Sequence, residues 1–84
     1  MLKQEYRYIT QQEGVRSGRP VIEGTRIAVH DIAAMILTGA DIDDAIRSYP
    51  DITRAQVYES MAYYEDHKDE LDLIIAEQMA DEEQ

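Results

Sequence analysis

Three arginines, Arg16, Arg19 and Arg26, lie on or beside the run Gly18-Arg19-Pro20-Val21-Ile22-Glu23-Gly24-Thr25-Arg26-Ile27-Ala28-Val29. An arginine's planar fork of donors, set beside glycine backbone, suits contact with phosphate oxygens. The competing reading is internal pairing of Arg19 or Arg26 with a carboxylate such as Asp31 or Asp51, since the chain is rich in acids. Catalysis finds less support. His30 and His67 are far apart in sequence and in no metal-ligand spacing. No serine or threonine lies in a nucleophile motif, and no glycine-rich phosphate loop is present. The absence of cysteine excludes a disulfide framework and a thiolate metal site. Carboxylates in such number could form an acid–base pair, but their placement in first helical turns and on polar faces fits capping and solubility. The expectation is a non-enzymatic protein with no metal and no cofactor. His30, directly after Val29, reads as a helix-entry residue.

The arginines need a hairpin to bring them together. Pro20, Val21 and Ile22 favour an extended segment, because proline fixes φ and β-branched residues suit a pleated surface. Glu23-Gly24 reads as a two-residue turn with Gly24 free to take positive φ. Thr25-Arg26-Ile27 then returns as a second strand, with Arg19 and Arg26 flanking the turn. A lone hairpin is marginal in water and must lie on something else. Tyr6, Tyr8 and Ile9 are possible partners in a small sheet.

That support is helical. Val29, Ile32, Ala33, Ile36 and Leu37 recur at the spacing of one buried helix face, with Gly39 placed as the left-handed C-terminal residue. Ala34 and Met35 fall off that stripe. Asp41 is an N-cap for a second helix, with Asp44 in the capping-box position and Ile42, Ala45, Ile46 and Tyr49 on its apolar face. Pro50 ends it. Thr53 caps a third helix with Gln56 three residues on. There Val57, Met61 and Tyr64 face inward, flanked by Tyr58 and Ala62, while Gln56, Glu59, Ser60, Tyr63 and His67 form the opposite stripe. Two short helices with a tight link after a preceding helix make a helix-turn-helix pattern.

The opposite stripe would then be a recognition face, offering Gln56, Ser60 and Tyr63 as hydrogen-bonding groups beside Arg54. Glu59, Glu65 and Asp66 argue against it, because a carboxylate near a phosphate costs Coulomb energy. The candidate nucleic-acid contacts are therefore Arg16, Arg19, Thr25, Arg26, Arg54, Gln56, Ser60 and Tyr63, with a scaffold-only role for the helices as the alternative. Asp69 reads as the cap of a final helix, in which Leu71, Ile74, Ile75 and Met79 line one side and Leu73 lies outside the stripe. Such an amphipathic helix docks on a partner protein, on its own domain or in a dimer seam. Residues 80–84 read as a solvated acidic tail. Continuity of the third helix through His67-Lys68-Asp69 is left open.

At 84 residues the chain makes one modest core, with a stability of about 4–13 kcal/mol. The formal net charge is −10. Residues 1–30 hold five basic side chains against three acidic ones, whereas residues 31–84 hold three (Arg47, Arg54, Lys68) against fifteen. A polyanion can approach only the first part; a basic partner suits the second. No apolar run approaches the roughly 20 residues of a membrane span, no leader-like apolar run follows Met1, and the last helix lacks a basic polar face for membrane binding. The expectation is a soluble, cytoplasmic protein.

Gly18-Arg19-Pro20-Val21-Ile22-x-Gly24-Thr25-Arg26-Ile27-x-Val29, then Gly39, then Tyr49-Pro50-x-Ile52-Thr53, resembles the domain of unknown function 433 family over about Tyr8 to Tyr64. The resemblance implies a short hairpin followed by a homeodomain-like helical unit. It also implies an antitoxin-like (VapB-type) protein, encoded beside a PIN-type nuclease toxin. The reading is thus a mainly α chain: residues 1–68 form the hairpin plus helix-turn-helix domain, and residues 69–84 a C-terminal amphipathic helix and acidic tail. Implied partners are a PIN-type toxin, through Leu71, Ile74, Ile75 and Met79, operator DNA, and a second copy in a homodimer. A dimeric structural or adaptor module without a nucleic-acid role is the alternative.

Overall fold

The computed structural model describes residues 6–82, and its organising element is the helix that the apolar spacing predicts, α1 (Val29–Leu37). Val29, Ile32 and Ala33 are fully buried, but Ile36 is only half-buried and Leu37 is exposed, because the helix end runs out beyond its neighbours. Its C-terminus closes as the glycine predicts. Gly39 takes φ +112°, its amide donates to the Ile36 carbonyl, and the Ala40 amide donates to that of Met35. This is the Schellman arrangement that satisfies otherwise orphaned carbonyls.

Two further helices start where their side chains cap them. α2 (Ile42–Ser48) begins at Asp41, whose carboxylate accepts from the Asp44 amide while Asp44 accepts from the Asp41 amide. α3 (Arg54–Asp66) begins at Thr53, with Gln56 completing the same reciprocal pair. α3 does not run through to the C-terminus. It stops at His67 (φ −128°, ψ 41°), and α4 (Lys68–Glu82) sets off in a new direction. Asp69 therefore lies in the first turn of α4 and not at its cap. The stretch expected as a loose tail is helical as far as Glu82; Glu83 and Gln84 lie outside the described residues, as do Met1–Glu5.

The hairpin pairs differently from expectation. β1 (Ile9–Thr10) and β2 (Val21–Ile22) form the antiparallel pair, with Ile9 opposite Ile22 and Thr10 opposite Val21. Residues 25–27, expected as the return strand, form no regular strand; beyond the turn at Glu23-Gly24 the Ile22 amide donates to the Ile27 carbonyl, Val21 bridges Ala28, and the Val29 amide donates to the Pro20 carbonyl. Local bonding explains it. The Thr25 amide and hydroxyl both donate to the Ile22 carbonyl, and the Ile27 amide donates back to the Thr25 hydroxyl. Threonine thereby spends its hydroxyl on its own turn, and only a short pairing follows it. Gly24 does take positive φ, +81°, as the third residue of this turn.

α1 lies between two apolar clusters. On one side Ile32 meets Ile22, Ala45, Ile52 and Val57, joining α2 to the first half of α3. On the other, Val29 and Ala33 meet Ile9, Tyr63, Tyr64, Leu71 and Ile74, joining the N-terminal strand, the second half of α3, and α4. Residues 69–82 thus share the core of what precedes them; the boundary after residue 68 divides helices, not cores. None of the helices among the described residues is long and apolar enough to cross a membrane.

Candidate binding site

Between the loop before β2, the start of α1 and the far end of α4 lies a polar cleft of about 460 Å³. Arg16, Ser17 and Arg19 come from the loop, His30 from α1, and Glu77, Gln78 and Asp81 from α4. The loop reaches it through a left-handed turn in which Arg16 (φ 49°), Ser17 (φ 60°) and Gly18 (φ 76°) follow one another. Positive φ costs a non-glycine residue about 1–3 kcal/mol, so the two side-chain-bearing members must be held in place. Arg16 is the holder. Its guanidinium donates to the Asp31 carboxylate at 2.7 and 3.4 Å and to the Arg26 carbonyl at 2.9 Å. Asp31 also accepts from the Ala28 amide at 3.2 Å, which fixes the first turn of α1. The hydrogen bond to Asp31 holds the Arg16 guanidinium above even its ordinary high value.

The other cationic side chain is loosely held. Arg19 meets Glu77 at 3.5 Å, beyond the 2.7–2.9 Å usual for a charge-assisted bond, and both groups are exposed. Beside them His30 is 2% exposed, and its Nδ1 has no hydrogen-bond partner among the described residues. Its Nε2 lies 3.7 Å from Asp31, an electrostatic neighbour too far for a hydrogen bond. Burial pushes the imidazole below its ordinary value. Asp31 pulls it back, Arg16 and Arg19 push the same way as burial, and the Gln78 side chain opposes. The ring is therefore neutral at pH 7.

The remaining sequence-predicted contacts are scattered. Arg26 is exposed, makes no ion pair with any described residue, and lines a different depression together with Thr25 and Gly24. Arg54 pairs with Asp43 at 2.6 Å, and Gln56 is spent in the cap of α3.

The stripe expected as a recognition face is covered. Ser60 is fully buried and donates to the Gln56 carbonyl; Tyr63 is 8% exposed, its ring 4.8 Å from Tyr6 and stacked at 4.0 Å on His67. The N-terminal segment does the covering. The amides of Arg7 and Tyr8 donate to Glu59, and the Tyr6 hydroxyl donates to Asp66. Two of the three carboxylates that argued against phosphate contact, Glu59 and Asp66, are anchors for that segment. Tyr58 and Ala62, expected to flank the inward stripe, are exposed. On α4, Leu71 and Ile74 are buried in the chain's own core and Ile75 is half-buried, whereas Met79 and Leu73 are exposed.

Sequence reasoning placed two of the cleft's arginines together and missed the rest. His30 stands one residue after a fully buried valine, and its burial needs α4 overhead. Glu77, Gln78 and Asp81 carry no local signal of what they face.

The family described as protein of unknown function DUF433 matches residues 9–64. The chain belongs to that family. Its fold is similar to the crystal structure of a DUF433 member protein from Anabaena variabilis ATCC 29413, with a TM-score of 0.79 and 30% identity, covering 82% of this chain and 68% of that one. It is also similar to the uncharacterized protein y4eO of Sinorhizobium fredii (strain NBRC 101917 / NGR234), 26% identical over 57 residues, which is 68% of this chain. The match takes in 26% of that relative's length.

Proposed function

We propose that this DUF433 chain is a non-enzymatic, antitoxin-like protein of the cytoplasm that neutralises a PIN-type ribonuclease toxin by direct binding. The observation that carries the reading is the outer face of α4. Asp69, Glu70, Asp72, Glu77 and Asp81 stand exposed there beside exposed Leu73 and Met79. A nuclease that grips RNA must present cations to phosphates, and an acidic helix with apolar points of contact complements such a surface. Leu71 and Ile74 leave the docking set, since they hold α4 to its own core, and Leu73 joins Met79 in it. The homeodomain-like arrangement of α1 to α3 serves in this reading as the scaffold of α4. Autorepression through operator DNA has less support, because Ser60 and Tyr63 are covered and Arg16 and Arg54 are paired.

The test is co-purification with the nuclease encoded beside it, followed by an RNA-cleavage assay. A salt-sensitive complex in which cleavage is lost supports the reading, because exposed charge pairs are screened within about 10 Å at 0.1 M salt. No complex at low ionic strength overturns it. A gel shift on the promoter, with and without the nuclease, decides the DNA arm.

A further inference from the structure

The cleft over His30 holds a buried ring nitrogen, Nδ1, that has no hydrogen-bond partner among the described residues. We propose that it is the receptor for a single arginine side chain of the basic partner, whose guanidinium enters between His30 and the Glu77 and Asp81 carboxylates and displaces Arg19. The chemistry follows from three observations. First, His30 is almost wholly buried and its Nδ1 has no hydrogen-bond partner among the described residues. With Asp31 lying on the Nε2 side at 3.7 Å, the favoured neutral tautomer carries its proton on Nε2 and leaves Nδ1 as a bare acceptor. Such a group calls for an N–H donor, not for an anion.

Second, the α4 wall supplies further acceptors one turn apart, Glu77 and Asp81, with the Gln78 amide between them. They stand in the last turns of α4, where the helix dipole adds negative potential. A planar fork of five donors spans acceptors on two elements in a way that the point charge of an ammonium does not. Third, a guanidinium already stands here. Arg19 meets Glu77 at 3.5 Å with both groups exposed, a contact long enough to yield to a better-placed donor. Arg16, the other cation of the cleft, is held by Asp31 and stays where it is.

The groups facing the imidazole are Asp31 from α1, Arg16 and Arg19 from the loop, and Glu77, Gln78 and Asp81 from α4. Protonation of His30 turns the acceptor into a fourth cation beside the incoming guanidinium, so binding falls as the solution is acidified. The depressed value of the ring keeps it neutral at pH 7 and places this loss below pH 6.5.

The inference rests on the docking reading above but is tested without the partner. The probe is N-acetyl-arginine methylamide, titrated into the full chain while the His30 ring and Gln78 side-chain resonances are followed by NMR. Saturable shifts at those two residues are expected at pH 7.5, with a dissociation constant on the order of 1–10 mM, as befits so small a ligand. Binding should weaken as the solution is acidified below pH 6.5. The citrulline analogue, equal in shape but uncharged, should not bind. Glu77→Gln with Asp81→Asn should abolish the shifts, whereas Arg19→Ala should tighten binding by removing the competitor. Equal binding of the citrulline analogue, tighter binding of the lysine analogue, or weaker binding to Arg19→Ala overturns the proposal. The two readings also fail separately. A nuclease complex indifferent to Glu77→Gln with Asp81→Asn retires the cleft as its receptor, and saturable arginine binding without any nuclease complex retires the nuclease.

Discussion

The two sides of α1 are built by different means. On the side of Ile32, α2 and the first half of α3 are short helices that begin at reciprocal caps and enclose small apolar residues such as Ala45 and Val57. On the side of Val29 and Ala33, the N-terminal segment, the end of α3 and α4 come together from distant parts of the chain. Their polar groups are satisfied across long sequence separations: Tyr8 on Glu59, Tyr6 on Asp66, and Arg19 on Glu77. The first side needs little beyond its neighbours in sequence. The second exists only when the whole fold does, and it is the side that carries the exposed acidic helix and the unsatisfied histidine.

That contrast can be broken most forcefully at Leu71, which is fully buried and lies on α4. Leu71→Ala should cost about 2–5 kcal/mol, a large share of what so small a chain possesses. If the two sides form one cooperative unit, denaturant unfolding followed by circular dichroism should move as a single transition to lower denaturant. A loss below about 1 kcal/mol, or a first transition that removes α4 alone, would show that the second side folds separately.

Asp31 sharpens the comparison at intermediate cost, because it joins the left-handed loop to the first turn of α1. Asp31→Ala leaves the Arg16 guanidinium, about two-thirds buried, without its partner. The expected loss is about 1–3 kcal/mol, with amide exchange rising over residues 14–19 and 28–31 and little change at the α2 and α3 caps. Uniform loosening of all helices would mean that the pair supports the whole fold and not this loop.

The smallest effect is spectroscopic. The Tyr64 hydroxyl donates to Asp72 at 2.7 Å across the α3–α4 junction, and that hydrogen bond, with burial, pushes the phenol up to about 12. Because the folded state holds this proton more tightly than the unfolded chain, the stabilisation is intact below pH 10 and is lost as pH rises toward 12. Absorbance titration at 295 nm should show a tyrosine ionising near 12 that vanishes in Tyr64→Phe. Titration of all tyrosines near 10 would remove the hydrogen bond as a tie between α3 and α4.

Most of the helical architecture was legible because it is written locally. Asp41 with Asp44, Thr53 with Gln56, Gly39 after an apolar stripe, and Gly24 in a turn each act within four residues, and each appears where the spacing puts it. The strand pairing was half legible. Val21 and Ile22 are extended, and Ile9, one of the residues expected to join the sheet, pairs with Ile22 on one edge while Ala28 bridges Val21 on the other; Thr25, expected in the return strand, instead bonds its own turn. The outward face of α3 was misread because its stripe of Gln56, Glu59, Ser60 and Tyr63 is polar enough to suit water. Periodicity could not reveal that residues 6–8 lie across it and supply hydrogen bonds and a tyrosine ring.

The sequence by itself determined the helix starts and stops, the acidic balance beyond residue 30, and the membership that its glycine–arginine run announces. Tertiary structure alone decided which polar groups lose their water. Arg16 and Asp31 find each other across 15 residues, Arg19 and Glu77 across 58, and His30 is buried against α4 with one nitrogen unpartnered among the described residues. Caps and turns are contests between groups a few bonds apart, so composition and spacing resolve them. Burial of a polar atom is a contest between water and whatever the rest of the chain brings up to it, and only the assembled fold settles what that is.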